Sequence, residues 1–271
     1  MYFEKLDNRR LLRVSGIEAE HFLENLVTCK VTDLKADEAP FGALLSPQGK
    51  ILFDFFMFKI EGAFVFDVPA ALMDDFLKRL TFYRLRAKVD IERLEGMPVT
   101  AVWGVSDLSA ELAFMDYRND ALGFRCYGTI PEGFREAKLK DKRIEIGIPE
   151  GHVDFEYGDA YPHETLMDQF GGVDFKKGCY VGQEVVSRMQ HRGSAKKRIV
   201  QVSSEEILPE PGTAVSGDGK PVGTLGSTEG KKGLAMLRLD RAQKAETLTS
   251  GDVPVTVKIP EWVNFGWPEK A

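Results

Sequence analysis

The sequence predicts an α+β protein that closes with a small all-β unit. Three observations carry this: an amphipathic helical stretch near the N-terminus leading into a strand-rich hairpin, a second series of strands and a helix up to about residue 195, and a change of texture after Arg198, where glycines recur between short apolar runs.

Taken in order, Ser15-Gly16-Ile17-Glu18 reads as a capping box that opens a helix, with Ile17, Phe22, Leu23, Leu26 and Val27 on one apolar face and an end near Cys29. Residues 41–45 and 51–60 are rich in aromatic and branched side chains and flank Ser46-Pro47-Gln48-Gly49, a turn in which proline presets one torsion; together they predict a hairpin. A third strand over 63–68 precedes a helix over 70–80 that carries Leu72, Met73, Phe76, Leu77 and Leu80 inward. Strands follow at 87–94, 99–105 and 121–127, then a helix over 136–146 that stops at Gly147 before Pro149. From Gln183 onward Val185, Val186 and Met189 mark one more helical face. Beyond Arg198, Val200-Gln201-Val202 alternates and glycines at 212, 217, 219, 223, 226, 230, 233 and 251 separate short strands, the pattern of a small barrel or sandwich. The expected domains are 1–195, itself divisible into 1–95 and 96–195, and 196–271, with the boundary between Ser194 and Lys197.

At 271 residues and 43% hydrophobic content the chain can bury a core without covalent staples. Its net charge of −6 offers no global field for nucleic acid or anionic membrane, so neither is expected as a partner. Three widely spaced cysteines, Cys29, Cys126 and Cys179, argue against a disulfide framework, and four scattered histidines give no short-spaced ligand set, so no resident metal is expected. The opening residues lack a basic region followed by an apolar one, and no window reaches the length of a membrane helix; the expected compartment is the cytoplasm. Fingerprints for dinucleotide, P-loop, esterase and zincin chemistry are absent.

The segment from Gly171 to Glu184 stands apart. It combines small residues, Lys176 and Lys177, and a lone thiol at the approach to a helix. Glycines let a ligand approach the backbone, and a thiol near a helix N-terminus and a cation has its thiolate favoured. Glu184 and Arg188 are spaced as an i,i+4 pair. Taken singly, each residue has a plainer reading: an inert core cysteine, a solvated lysine, a surface ion pair.

Taken together, Lys177-Gly178-Cys179-Tyr180-Val181-Gly182-Gln183-Glu184, followed by Val185-Val186-Ser187-Arg188, closely resembles the K-G-C-[FY]-x-G-Q-E-x-x-x-R signature of the YgfZ family, folate-binding helpers of iron–sulfur protein maturation. The likeness extends to Arg143-Ile144-Glu145, to Gly147-Ile148-Pro149, to the stretch from Leu44 to Lys50 and to a C-terminal barrel. It implies folate-binding α+β domains like those of the T-protein of the glycine cleavage system, tetrahydrofolate as ligand, and iron–sulfur client or assembly proteins as partners. By motif position it implies Cys179 as the functional thiol and Lys177 as the folate-side cation, with Tyr180 and Asp54 at the folate and Glu145 as an acceptor for a pterin edge. Gly178, Gly182, Gln183, Glu184 and Arg188 carry over as framework.

T-proteins show an acidic pair where this chain has Phe53-Asp54, and a non-thiol residue where it has Cys179. Aminomethyl transfer is therefore disfavoured. The rival remains a folate-dependent aminomethyltransferase or demethylase using Asp54.

Overall fold

The computed structural model describes residues 1–193 and 195–268. Ser194, at the edge of the expected domain boundary, lies outside the described residues. The chain divides into two compact units, one formed by Met1–Leu139 with Phe170–Glu184, the other by Lys140–Gln169 with the chain from Val185 onward.

The first unit holds two five-stranded sheets. In one, an antiparallel series runs from Phe41–Leu45 through Ile51–Ile60, Ala63–Pro69 and Arg9–Ser15 to Asp90–Leu94. The hairpin turn forms as its residues dictate: Gly49 takes φ +80° and its N–H donates to the Ser46 carbonyl at 2.8 Å. Helices α1 (Ala19–Glu24) and α2 (Met73–Arg84) bury Phe22, Leu23, Phe76 and Leu80 against Phe53, Phe55 and Met57 of this sheet. Strand alternation sends Phe58 into a separate cluster with Phe114 and Tyr127, which belong to the other sheet or its flank. That sheet is ordered Arg135–Glu136, Tyr2–Lys5, Val99–Trp103, Phe124–Tyr127, Ala113–Met115.

A buried charge cluster links the two sheets. Asp67 accepts from Arg9 Nε at 2.6 Å, Arg125 Nε at 2.5 Å and the Tyr127 hydroxyl at 3.1 Å. Burial acts to raise its pKa, but the two guanidinium groups outweigh it and hold the carboxyl below its ordinary value.

Several sequence expectations are corrected in this unit. No capping box forms. Gly16 sits at φ +114°, α1 starts three residues later, and the Glu18 carboxylate accepts from the Lys88 amide at 2.6 Å instead of from its own helix. The helix ends at Glu24, well short of Cys29, because Thr28 pairs with Ala43. Ile17, placed on the apolar face by periodicity, is 88% exposed. The next helix is preceded by a 3-10 turn at Ala70–Leu72, which leaves Leu72 and Leu77 only partly buried. The strand expected over 121–127 begins at Phe124, since Asn119 accepts from the Ala121 amide and caps a 3-10 turn at Asp120–Leu122.

Helix α3 (Leu139–Ile146) ends at Gly147, φ +82°, as its glycine and following proline predict. The second unit is dominated by a seven-stranded antiparallel sheet built from the chain after Lys197, with Val200, Val202, Val215, Leu225 and Leu237 in its core. It also holds most of helix α4 (Gln183–Arg192) and the short α5 (Leu239–Ala242). Of the α4 face read from periodicity, Val186 is buried while Val185 and Met189 are half-buried.

Candidate functional site

The thiol-bearing segment is fastened to the loop that leaves α1. Thr28 Oγ donates to the Gly172 carbonyl at 2.6 Å and accepts from the Ala43 amide at 2.8 Å, while the Asp174 amide donates to the Thr28 carbonyl at 2.9 Å. Lys177 completes the attachment. Its Nζ donates to the carbonyls of Val27 and Cys29, each at 2.8 Å, and pairs with Glu24 at 3.4 Å. All three ammonium protons thereby have acceptors.

By motif position Lys177 is expected at the folate; in this geometry its ammonium is engaged by its own chain. Its side chain is 1% exposed, so it is a strut rather than a mouth charge. Burial pushes its ammonium below the ordinary pKa, although Cys29, Glu24 and Asp174 pull the other way. For Glu24, burial acts to raise the pKa but is outweighed by the amides of Val31 and Thr32 and by Lys177, leaving the carboxyl below its ordinary value.

Beyond the strut the chain opens to solvent. Gly178 and Cys179 are both exposed. A Cβ built on Gly178 would meet nothing within 4 Å. Tyr180 turns back into the protein, its ring 5.5 Å below Lys177 Nζ and its hydroxyl pKa raised by burial. Gly182 is required by the fold: it sits at φ +82°, and a Cβ there would lie 2.5 Å from the Ser46 carbonyl oxygen. Gln183 then donates to the Gly178 carbonyl at 3.2 Å. Glu184 and Arg188 lie exposed on α4.

The other two cysteines differ sharply from Cys179. Cys29 and Cys126 are buried, and burial pushes each thiol up to about 12, out of the range of useful thiolate at neutral pH.

Asp54 is buried on Ile51–Ile60, on the face it shares with Phe56 by strand alternation. The Phe56 ring packs edge-on to Phe41 at 5.0 Å, Phe41 packs on Phe170 at 5.5 Å, and the guanidinium groups of Arg118 and Arg125 lie 5.0 and 4.2 Å from the Phe56 ring centre. This aromatic and cationic face is not evident from any one of its residues. The signal that finds it is the two-residue period of the strand, which puts Asp54, Phe56 and Phe58 together.

Glu145 belongs to the second unit, exposed on α3 and paired with Lys142 at 3.2 Å. Its motif neighbours are structural. Arg143 pairs with Glu150 at 2.7 Å and with Asp154 at 3.3 Å, and donates to the Ile148 carbonyl at 3.0 Å; Asp154 in turn accepts from the Ser227 amide at 2.7 Å. The structure thus brings together Lys177, Gly178, Cys179, Tyr180, Gly182, Gln183, Glu184 and Asp54 in one unit, and places Glu145 and Arg188 in the other.

Comparison with known proteins follows this architecture. The chain has the T-protein fold: a crystal structure of glycine cleavage system aminomethyltransferase T from Bartonella henselae superposes with a TM-score of 0.76 at 15% identity, covering 96% of this chain and 86% of that one. A family model described as the CAF17 C-terminal beta-barrel domain matches residues 196–265. The iron–sulfur cluster assembly factor IBA57 of Mus musculus, a mitochondrial protein by name, is 30% identical over 98% of this chain and 86% of its own length. The Homo sapiens protein of the same name is 28% identical over 97% and 85%, and a Coccidioides immitis homologue 28% identical over 96% and 82%. The chain belongs to the IBA57 family of iron–sulfur cluster assembly factors. These relatives overturn the cytoplasmic expectation, since they are named as mitochondrial; the character of the opening residues does not decide the compartment.

Proposed function

We propose that this chain is an iron–sulfur cluster assembly factor that binds tetrahydrofolate in its first unit and acts on client or assembly proteins through the thiol of Cys179. The observation that carries the proposal is the contrast among the three cysteines: two are buried with thiols held protonated, and the third is exposed on a segment anchored by a buried lysine. Among the described residues no group of three or more histidine, cysteine, aspartate or glutamate side chains is placed to hold a metal ion. Iron or a cluster at Cys179 is accordingly cargo, sharing this one thiolate with ligands from a partner protein. Gly178 has open space where a side chain would stand, next to the exposed Cys179, and Lys177 fixes the loop through the carbonyls of Val27 and Cys29.

Support for tetrahydrofolate comes from the YgfZ-like signature and from the donor set on the Asp54 face. In this reading Asp54 accepts paired N–H groups of a pterin edge, and the buried rings of Phe41, Phe56 and Phe170 with the Arg118 guanidinium frame that carboxylate. When bound, a reduced folate supplies one-carbon-carrying nitrogens and a reducing pterin. The chain's own contribution is to accept its N–H donors at Asp54. Lys176, exposed where Lys177 is not, is left to meet a glutamyl tail. Calorimetric titration with tetrahydrofolate should give saturable heat that Asp54→Asn abolishes or weakens at least about tenfold, a loss of ~1.4 kcal/mol. No heat and no thermal shift with the wild-type protein would remove the folate part of the proposal. The likeness to aminomethyltransferase T is one of fold, and the single carboxylate at Phe53-Asp54 gives it no catalytic support.

A further inference from the structure

Helix α1 serves two neighbours. Its Glu24 pairs with Lys177, two residues before Cys179. Its Phe22, with Leu26 just beyond it, lines a cavity of about 310 Å³ whose other wall is Tyr83, Leu85 and Ala87 at the end of α2. Large apolar side chains stand around this cavity in water: Leu85 is 84% exposed and Phe82, one residue from Tyr83, is 70% exposed. Ile17, 88% exposed, stands between Gly16, which lies close against the Lys88 backbone, and Glu18, which accepts from the Lys88 amide. Leu85 itself takes φ +48°, a conformation that leucine rarely adopts. Folding alone rewards none of this exposure.

The charge is as distinctive as the apolar surface. In a chain of net charge −6, Arg84 and Arg86 line the cavity and Lys88 adjoins it, while the carboxylate in the lining, Glu18, is held on the Lys88 amide; Lys78, farther up α2, is paired with Asp75. We propose that this cavity and its basic rim are a docking site for an acidic segment of a partner protein, with one bulky apolar side chain of that segment in the cavity and its carboxylates on Arg84, Arg86 and Lys88. Apolar anchors ringed by arginine are the composition of energetically dominant interface centres. A membrane fits less well. The apolar stripe of α2, Met73, Phe76 and Leu80, is spent in the core, so only the helix end is free, and a concave surface admits a side chain better than a bilayer.

A partner held here sits against the helix that anchors the thiol loop, which would present its cluster-bearing region to Cys179. That consequence rests on the proposed role of Cys179; the docking does not.

The test uses the full chain and a fluorescein-labelled peptide of about a dozen residues, mostly glutamate, with one phenylalanine and one leucine a helical turn apart. Fluorescence polarisation should show saturable binding that weakens with salt, as expected for charges screened beyond about 8–10 Å. It should also fall at least about tenfold in a Leu85→Ser, Arg86→Glu double variant. Both side chains point outward, so the variant should melt with the wild type. Cys179→Ser should bind the peptide normally, so that loss of cluster activity in that variant tests the thiol and not the docking. The proposal is overturned if the peptide does not bind, if a peptide with both apolar residues changed to alanine binds equally, or if the double variant binds unchanged. Two further outcomes overturn it by naming another occupant: anionic vesicles that bind in place of the peptide and lose binding in the double variant, or a dimer of this chain that the double variant disperses.

Discussion

The two signature segments, 143–149 in the second unit and 177–184 in the first, are built on different terms. In the upstream segment packing explains the arginine and the glycine, while Glu145 stands exposed beside Lys142: Arg143 joins Glu150, Asp154 and the Ile148 carbonyl, and Gly147 takes φ +82° with no room for a Cβ beside Pro260. In the downstream segment packing explains only part. Lys177 and Gly182 are fully engaged, yet Gly178 has open space where a side chain would go and Cys179 is exposed. A residue that the fold does not need is the better candidate for chemistry. On that ground the first segment is a staple and the second a mount.

The comparison predicts graded effects on stability. The largest belongs to the staples. Asp67→Asn leaves Arg9 and Arg125 buried without their carboxylate and should cost about 3–5 kcal/mol in urea unfolding. Because the Asp67 carboxyl sits below its ordinary value near 3.8, its contribution is fully present above that pH and is lost as the pH falls through the folded-state value. Wild-type stability should therefore drop with acid below about pH 4, and the Asn variant should drop less steeply. Arg143→Ala strands Asp154 and should cost a similar ~3–5 kcal/mol, measured the same way.

Lys177→Met comes next. It leaves Glu24 and the carbonyls of Val27 and Cys29 without a donor and should cost about 2–3 kcal/mol. A stability like the wild type's would show that Lys177 is not a strut, and would return it to the folate. Smaller again is the split between two glycines four residues apart in one motif. Gly182→Ala forces a left-handed alanine against the Ser46 carbonyl and should lose about 1–3 kcal/mol, whereas Gly178→Ala should stay within ~0.5 kcal/mol. Equal losses would erase the distinction between staple and mount.

Much of this was legible in the sequence where local chemistry decides the outcome. The hairpin through Pro47 and Gly49, the stop at Gly147 and the start of α4 at Gln183 all follow from turn residues and periodicity. What failed did so because a distant partner won. Glu18 has the spacing of a capping box, but its carboxylate goes to Lys88, about 70 residues away. Lys177 reads as a solvated cation until the carbonyl of Val27, about 150 residues earlier, arrives to accept its hydrogen bond. The two-residue period already groups Asp54 with Phe56; what local pattern does not show is the cross-strand pairing that adds Phe41 to that face.

The most direct test of the central claim is a deletion strain assayed for cluster-dependent enzyme activity and complemented with Cys179→Ser. The account predicts a protein that melts with the wild type and fails to restore activity, while Cys126→Ser, if folded, restores it. Full rescue by Cys179→Ser would mean that the exposed thiol has no essential chemistry, and the mount would be a mount for nothing.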